Sequence, residues 1–406
     1  MHFYLVISLF GFFLSCSGSN TQLDKNAEVF QYKAKPNIEV GADDHEAYLP
    51  LLKGKKIGLV VNQTSRKGEQ HVVDFLMDEK QELVSIFAPE HGFRGKADAG
   101  GKIEDGKDEK TGLPLYSLYG KSKKPSPEQM AELDMMIFDI QDVGARFYTY
   151  ISTLHYVMEA CADAQVPLMI FDRPNPNGHY VDGPIMEKEF SSFVGLHPIP
   201  IVHGMTIGEY AQMINGENWL GAKKRCTLIV IKCKNYDHST YYRLPIKPSP
   251  NLPNNKAIFL YPSLCLFEGT TVSVGRGTDK QFQVIGHPSF ESKVYNFSFT
   301  PVPKEGASNP KHNGVPCQGL DYSAMNLGEF QSKKSLMLGP LIEAYQNFEK
   351  KEDFFNSFFN KLAGTATLQE MIKAGKSEEE IKSTWASGLV KFKEKRKKYL
   401  LYDSLF

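Results

Sequence analysis

A regular alternation of apolar runs and helix-type patterns between residues 56 and 231 restricts this chain to few folds. The apolar runs contain no polar alternation, so each predicts a strand that is buried on both faces. Between them, apolar residues recur at three- and four-residue steps, which is typical of helices. The predicted strands are residues 56–61, 83–87, 135–140, 167–171 and 228–231, and the predicted helices are residues 71–77, 148–164 and 206–215.

Strands of this kind that alternate with helices form a parallel sheet covered on both faces. We therefore predict an α/β fold, a doubly wound and mainly parallel sheet, over residues 51–289. The pattern changes at residue 290, where a half-exposed strand at 294–300 precedes a loop rich in Pro, Gly and Asn at 301–316. Because the chain is mostly helical from residue 335, we predict a smaller α+β domain over residues 290–406.

The charge balance limits the class of partner. The 406 residues include 47 Lys and Arg against 47 Asp and Glu, so the formal net charge is zero. Binding nucleic acid as the main ligand needs an excess of basic charge, so we expect no nucleic-acid partner. The basic run at residues 391–398 is interpreted as a solvated helix face. No apolar run reaches the roughly 18–20 residues that span a bilayer, and no transmembrane helix is expected.

The N-terminal residues carry an export pattern. Residues 3–14 form an apolar run of signal-peptide length, followed by Ser15, Cys16 and a polar stretch. This pattern resembles a bacterial lipoprotein signal, although Lys and Arg are missing before the run and Phe13 stands where Leu is usual. We predict a signal peptide at 1–15, a lipidated Cys16 with a lipid anchor and tether at 16–50, and a periplasm-facing place in the bacterial cell envelope. The alternatives are a plain secretory peptide and a buried N-terminal strand.

Motifs for common cofactors and metals are missing from the sequence. No G-x-G-x-x-G follows the first predicted strand, and no P-loop, G-x-S-x-G, H-E-x-x-H or C-x-x-C occurs. The spacing of the histidines at positions 91, 179, 197 and 203 fits no metal-site template. We therefore expect no cofactor and no metal.

Polar residues cluster directly after four successive predicted strands. These segments are NQTS at 62–65, APEHGFRG at 88–95, DIQDVGARFY at 139–148 and DRPNPNG at 172–178. Because the carboxyl ends of parallel strands open onto one crevice, we expect one polar site there. Carboxylates, amides, arginines and aromatic rings suit a sugar, and cleaving a glycosidic bond needs a general acid and usually a second carboxylate.

Longer blocks identify a family. They are APEHGFRG, TGLPLYSLYG at 111–120, FDIQDVGARFYTYISTL at 138–154, DRPNPNG, PIVHGMTIGEYA at 200–211, SPNLPN at 249–254, YPSLCLFEGTTVSVGRGT at 261–278 and KQFQVIG at 280–286. In this order they resemble the exo-β-N-acetylmuramidase (NamZ-like) family from about residue 50 to the C-terminus. The family usually has Pro before Phe-Gln, where this chain has Lys280-Gln281.

The resemblance implies a fold and an activity. The fold is a Rossmann-like first domain with a smaller C-terminal domain, and the site lies in the cleft between them. The activity is release of N-acetylmuramic acid from the non-reducing end of peptidoglycan fragments or muropeptides. The membrane is then a partner only through the N-terminal lipid.

Glu90 is the predicted general acid. It follows a buried strand and precedes Gly92, and partial burial would raise its pKa as a general acid requires. His91 is predicted to orient Glu90 or to bind the substrate. The structural alternative is that Glu90 caps a helix or pairs with Arg94.

Glu268 is the predicted second catalytic carboxylate. Asp139 and Asp142 compete for this role, and an ion pair with Arg276 is the structural alternative for Glu268. The 2-acetamido group of the substrate also leaves substrate-assisted catalysis open, because the sequence contains no distances between carboxylates.

Selectivity for muramic acid needs a cation for its lactyl carboxylate, ideally the fork of an arginine. We favour Arg146 or Arg173, which follow neighbouring predicted strands. The full set of predicted substrate-binding residues is Asn62, Arg94, Asp142, Arg146, Tyr148, Arg173, Asn175, Asn251 and Arg276.

Two other functions compete with the muramidase. A β-N-acetylglucosaminidase that acts on the same peptidoglycan cell wall would release N-acetylglucosamine instead of N-acetylmuramic acid. A muropeptide-binding lipoprotein without catalytic activity would keep its binding when Glu90 is replaced by Gln.

Overall fold

The structure is a computed structural model that describes residues 37–93, 105–221 and 224–404. The predicted signal peptide, Cys16, the first part of the tether and Arg94 lie outside these residues. No helix within the described ranges combines the length and the apolar composition needed to cross a membrane.

The described strands follow the predicted apolar runs closely and add several that the periodicity missed. They are β1 Lys56–Val61, β2 Arg66–Lys67, β3 Gln70–His71, β4 Glu82–Ala88, β5 Gly106–Lys107, β6 Pro114–Ser117, β7 Met135–Asp139, β8 Leu168–Phe171, β9 Leu228–Ile231, β10 Val284–His287, β11 Phe297–Phe299 and β12 Cys317–Asp321.

The described helices include the three that were predicted. They are α1 His45–Leu52, α2 Val72–Asp78, α3 Pro127–Ala131, α4 Tyr150–Ala164, α5 Ile207–Gly216, α6 Asn255–Leu264, α7 Leu327–Lys333, α8 Gly339–Asn347, α9 Phe359–Ala363, α10 Thr367–Lys373, α11 Glu378–Ser383 and α12 Ala386–Arg396. Side-chain caps start several of them. Thr206, for example, accepts a hydrogen bond from the Glu209 amide, and the Glu209 carboxylate accepts one from Thr206, which forms a capping box before α5.

The central sheet confirms the predicted α/β class. Its order is β5-β6-β4-β1-β7-β8-β9, and every neighbouring pair is parallel except β5 with β6. Without β5, the strands lie in the order third, second, first, fourth, fifth and sixth along the chain, which is the order of Rossmann folds. The order reverses between β1 and β7, so a crevice for ligands is expected at the carboxyl ends of these strands and their neighbours.

Both faces of this sheet are buried. On β1, Leu59 and Val61 belong to one core and Val60 to the other, because successive side chains of a strand point to opposite faces. Helices α1 and α2 cover the first core, and α3, α4 and α5 contribute to the second. The continuous apolar runs in the sequence follow from this burial on both sides.

A smaller antiparallel sheet with order β10-β12-β11 lies in the C-terminal part, among helices α7 to α12. This agrees with the predicted α+β composition. The second core of the Rossmann part continues without a break into α6, α8, α9 and α12. The two parts of the chain therefore share one hydrophobic core.

The fully buried guanidinium of Arg146 joins the two parts. Its Nη1 donates to the carbonyls of Pro184 and Ile199 at 2.9 and 2.7 Å. Its Nη2 donates to the carbonyls of Leu362 and Ala363, on α9, at 2.9 and 2.6 Å. The loop after β7 is thereby fixed against the C-terminal helices.

Replacing Arg146 with Met should lower the free energy of unfolding by at least about 3 kcal/mol, because four buried carbonyls lose their donor. Urea denaturation followed by circular dichroism measures this change. The control is Lys124→Met, which removes a partly exposed ammonium that lies 2.7 Å from Asp163. Its cost should stay below about 1 kcal/mol. Equal stability of the two variants would contradict the role assigned to Arg146.

Candidate active site

A cavity of about 540 Å³ opens at the carboxyl edge of the central sheet. The loops after β4, β6 and β7 form one wall, and α6 with the residues that follow it forms another. Of the predicted site residues, those that line the cavity are Glu90, His91, Tyr148, Asn251, Glu268 and Arg276.

A larger depression of about 960 Å³ lies beside α2. Among its charged side chains, Lys110 pairs with Asp74 at 2.5 Å. None of the predicted site residues lines it. We therefore place the candidate site in the smaller cavity.

Glu90 lies in a sharp turn directly after β4. Its neighbours His91 and Gly92 both have positive φ values, 72° and 78°, a conformation that glycine adopts freely and that is uncommon for histidine. The Gly92 amide donates to the Pro89 carbonyl at 3.0 Å, which closes the turn. The turn directs the half-buried Glu90 side chain into the cavity.

Two hydroxyl groups hold the Glu90 carboxylate. Thr149 Oγ1 donates to Glu90 Oε2 at 2.6 Å. Burial raises the pKa of Tyr119 well above its usual range, and the charge of Glu90 and a hydrogen bond to it raise this pKa further. Tyr119 therefore stays protonated and serves as a hydrogen-bond donor to Glu90.

His91 connects the acid turn to the SPNLPN segment. Its Nε2 lies 3.2 Å from Ser249 Oγ, which also accepts a hydrogen bond from the Asn251 amide at 3.2 Å. Asn251 donates through Nδ2 to the Gly306 carbonyl at 2.7 Å. Its buried Oδ1 accepts no hydrogen bond from the described residues.

Aromatic rings form much of the cavity wall. Tyr148 packs edge-on against Tyr150 and Tyr261, with ring centroids 4.8 and 5.8 Å apart. Its hydroxyl donates to the Pro248 carbonyl at 2.8 Å. Phe193 and the exposed Phe358 line the same cavity.

Glu268 lies on the opposite wall, in the short helix Cys265–Gly269 after α6. Arg276 Nε donates to its Oε1 at 3.1 Å. Burial tends to raise the pKa of Glu268, but the charges of Arg276 and Lys311 outweigh this effect and lower the pKa below its usual value. Glu268 is therefore an ionised carboxylate in an ion pair.

The remaining predicted residues lie outside the cavity wall. Arg173 forms a buried ion pair with Asp139, Nε to Oδ1 at 2.5 Å and Nη2 to Oδ2 at 2.9 Å. Arg146 is bonded to carbonyls and Arg173 is bonded to Asp139, so neither of the two arginines favoured from the sequence lines the cavity. Arg146 follows β7, in a loop that borders the cavity, whereas Arg173 follows β8, in a loop that does not border it. The sequence does not show that both side chains turn inward to backbone and carboxylate partners.

Asn62, Asp142 and Asn175 likewise act behind the wall. Asn62 Nδ2 donates to the Tyr150 hydroxyl at 3.0 Å, which fixes a residue of the wall. Asn175 Nδ2 donates to the Met205 carbonyl at 2.9 Å. Asp142 Oδ2 accepts from the Gly144 amide at 2.6 Å.

No group of three or more His, Cys, Asp or Glu side chains within the described ranges is arranged to hold a metal ion. The side chains that line the cavity include carboxylates, hydroxyls, an amide, cations and aromatic rings.

Two family models match the chain. The N-terminal domain of the exo-β-N-acetylmuramidase NamZ covers residues 57–256, and its C-terminal domain covers residues 259–402. The chain belongs to the NamZ exo-β-N-acetylmuramidase family. It is accordingly a glycoside hydrolase, as the sequence blocks predicted.

Relatives of the NamZ family cover nearly the whole chain. The peptidoglycan β-N-acetylmuramidase NamZ of Bacillus subtilis (strain 168) is 39% identical over 417 residues, which cover 98% of this chain and 97% of that protein. A crystal structure of a DUF1343 family protein from Bacteroides fragilis has a TM-score of 0.85 and 49% identity, over 91% of this chain and 100% of that chain. A second DUF1343 structure from that organism has a TM-score of 0.76 and 27% identity over the same shares.

Several residues of this NamZ-family cavity were missed by the sequence reasoning. Tyr119, Thr149, Ser249 and Tyr261 all lie inside the blocks that identified the family, which was the available signal. Lys123, Phe193 and Phe358 lie outside those blocks, and only the folded chain brings them to the cavity.

Asp142 should make stability depend on pH. Burial raises its pKa to about 7, so from about pH 4 to pH 7 the folded state retains a proton that the unfolded state has lost. The contribution of this group to stability is full below about pH 4 and is lost as the pH rises to 7, by at most about 1.4 kcal/mol per pH unit.

The test compares urea unfolding of wild type and Asp142→Asn at pH 4.5, 6 and 7.5. The variant should gain stability relative to wild type as the pH rises. Burial lowers the pKa of the neighbouring His203 to about 3, so its ring is neutral in the folded state over this pH range. Parallel stability curves would show that Asp142 does not retain its proton.

Proposed function

We propose that this chain is an exo-acting β-N-acetylmuramidase that removes N-acetylmuramic acid from the non-reducing end of peptidoglycan fragments. Its family and the name of its Bacillus subtilis relative support this substrate. The observation that carries the proposal is Glu90, held by two hydroxyl groups in a cavity that is also lined by two cationic side chains, the Asn251 amide and aromatic rings.

Glu90 is the general acid in this proposal. In the bond-breaking step it gives its proton to the glycosidic oxygen, so that the remainder of the glycan leaves as an alcohol. Thr149 and Tyr119 fix the carboxyl group in one orientation, and they stabilise the carboxylate that remains after proton transfer.

Glu268 is less suited to donate a proton. The charges of Arg276 and Lys311 keep its pKa below the usual value even though burial acts in the opposite direction. Among the described residues that line the cavity, the carboxylates are Glu90 and Glu268. Because the Glu268 carboxylate is held in an ion pair, we favour the 2-acetamido oxygen of the substrate over Glu268 as the nucleophile that attacks the anomeric carbon.

Replacing Glu90 with Gln should lower kcat by about 10²- to 10⁴-fold, because the amide cannot donate a proton in the same way. The assay follows release of the non-reducing sugar from a β-linked N-acetylmuramic acid–N-acetylglucosamine disaccharide beside its N-acetylglucosamine–N-acetylglucosamine counterpart, because a sugar alcohol needs a proton in order to leave. The matched control is Glu132→Gln at an exposed position after α3, which should keep full activity.

Each contrary result identifies a different function. Cleavage of only the N-acetylglucosamine glycoside would identify a β-N-acetylglucosaminidase. Full activity of Glu90→Gln would remove Glu90 as the acid. Folded wild type that binds muropeptides but cleaves neither glycoside would be a binding lipoprotein.

We also propose that Cys16 is lipidated and anchors the chain in the cell envelope, facing the periplasm. The support is the apolar run at residues 3–14 followed by Ser15 and Cys16. Labelled palmitate should enter the protein in a bacterial host, and Cys16→Ser should abolish the label and release the protein from the membrane fraction. The control Ser19→Ala should keep both, and equal labelling of all three proteins would contradict the anchor.

A further inference from the structure

The guanidinium of Arg276 is held by Glu268 through Nε, whereas its two terminal nitrogens are available to a ligand. Its Nε donates to Glu268 at 3.1 Å, and its guanidinium carbon lies 5.1 Å from the ring centre of the buried Phe282. Its two terminal nitrogens donate to none of the residues that the structure describes. The guanidinium is thus held in place by an ion pair and a ring, with a fork of donors still available.

The other cations near the site differ from Arg276. Arg146 uses both terminal nitrogens on carbonyls, and Arg173 is paired with Asp139. Lys311 donates to the carbonyls of Phe267, Glu268, Thr270 and Val272. Lys123 lines the cavity, but it contacts the Phe193 ring at 4.7 Å and presents a single ammonium rather than a planar fork.

The ion pair of Glu268 and Arg276 lies where the active cavity meets a second cavity. Glu268 and Arg276 line both the active cavity and an adjoining cavity of about 280 Å³, which residues 306–311 border. Glu90 and Arg276 both line the active cavity, so the acid and the fork are available to the same bound sugar.

The substrate carries one group that matches this fork. N-Acetylmuramic acid differs from N-acetylglucosamine by a lactyl ether whose carboxylate is planar and carries two acceptor oxygens. A guanidinium binds such a group through two parallel hydrogen bonds. Glu268 neutralises the charge of Arg276. The nearby ammonium of Lys311 adds a second positive charge, so this end of the cavity carries a net positive charge.

We propose that Arg276 recognises the lactyl carboxylate through its two terminal nitrogens and that Glu268 is a positioning residue that orients the Arg276 guanidinium. This inference rests on the proposed muramidase function and identifies how that site distinguishes its sugar. It replaces the role of second catalytic carboxylate predicted for Glu268, and it gives Arg276 the role predicted for Arg146 or Arg173.

The test measures binding of a matched pair of ligands by calorimetry. N-Acetylmuramic acid and its lactamide differ in one group, a carboxylate or a neutral amide. Wild type should bind the acid about 10- to 100-fold more tightly, the range of a charge-assisted pair of hydrogen bonds. Arg276→Met should bring the ratio close to one, and Arg276→Lys should give an intermediate ratio.

Glu268→Gln separates positioning from catalysis. It should reduce the acid-to-lactamide ratio and raise KM for the muramic glycoside, with a smaller loss of kcat than Glu90→Gln shows. Lys123→Met should keep the wild-type ratio. Circular dichroism confirms that each variant is folded, and Arg276→Lys retains the positive charge if Arg276→Met does not fold.

Several results would overturn the inference. Equal binding of the acid and the lactamide by wild type would overturn the role of Arg276. If wild type still hydrolyses the muramic glycoside in that case, the proposed muramidase function is kept. A ratio lost in Lys123→Met but kept in Arg276→Met would move the recognition to Lys123. Wild type that neither binds N-acetylmuramic acid nor cleaves its glycoside would remove the proposed function together with the inference.

Discussion

A buried guanidinium joins the loop after β7, which borders the active cavity, to helix α9 of the C-terminal part. Arg146 follows β7, in the loop that also carries Thr149 and Tyr148, and its hydrogen bonds reach the carbonyls of α9. A buried cation is costly unless its donors are satisfied, and here both terminal nitrogens find carbonyls. The orientation of Glu90 therefore depends on the same contacts that join the Rossmann part to the C-terminal helices.

Two glutamates in one cavity are given different tasks by their surroundings. Glu90 faces neutral hydroxyl donors, whereas Glu268 faces a guanidinium and a buried ammonium. Neutral donors orient a carboxyl group that exchanges a proton, and fixed positive charges keep a carboxylate ionised. The assignment of acid and positioning residue follows from this contrast rather than from the sequence around each glutamate.

Periodicity predicted the central sheet because its strands are buried on both faces, as with Leu59 and Val60 of β1. It missed β10 and β12, which are short and rich in glycine or polar residues. Two of the four strand-end clusters, 88–95 and 139–148, contribute residues to the candidate cavity, whereas 62–65 and 172–178 do not, and Arg146 and Arg173 turn away from it. Side-chain direction within a loop depends on contacts with distant segments, such as α9, that local sequence does not specify.

The bonds from Arg146 to α9 end on main-chain carbonyls, which every residue type provides. The side chains of α9 can therefore change in sequence while the hydrogen bonds from Arg146 to its carbonyls are kept. Glu90 and its hydroxyl donors lie in the N-terminal match, and Arg276 lies in the C-terminal match. In our proposals the proton donor and the residue that selects the sugar substituent therefore lie in different halves of the chain, so substitutions in one half can change substrate selection without replacing the acid.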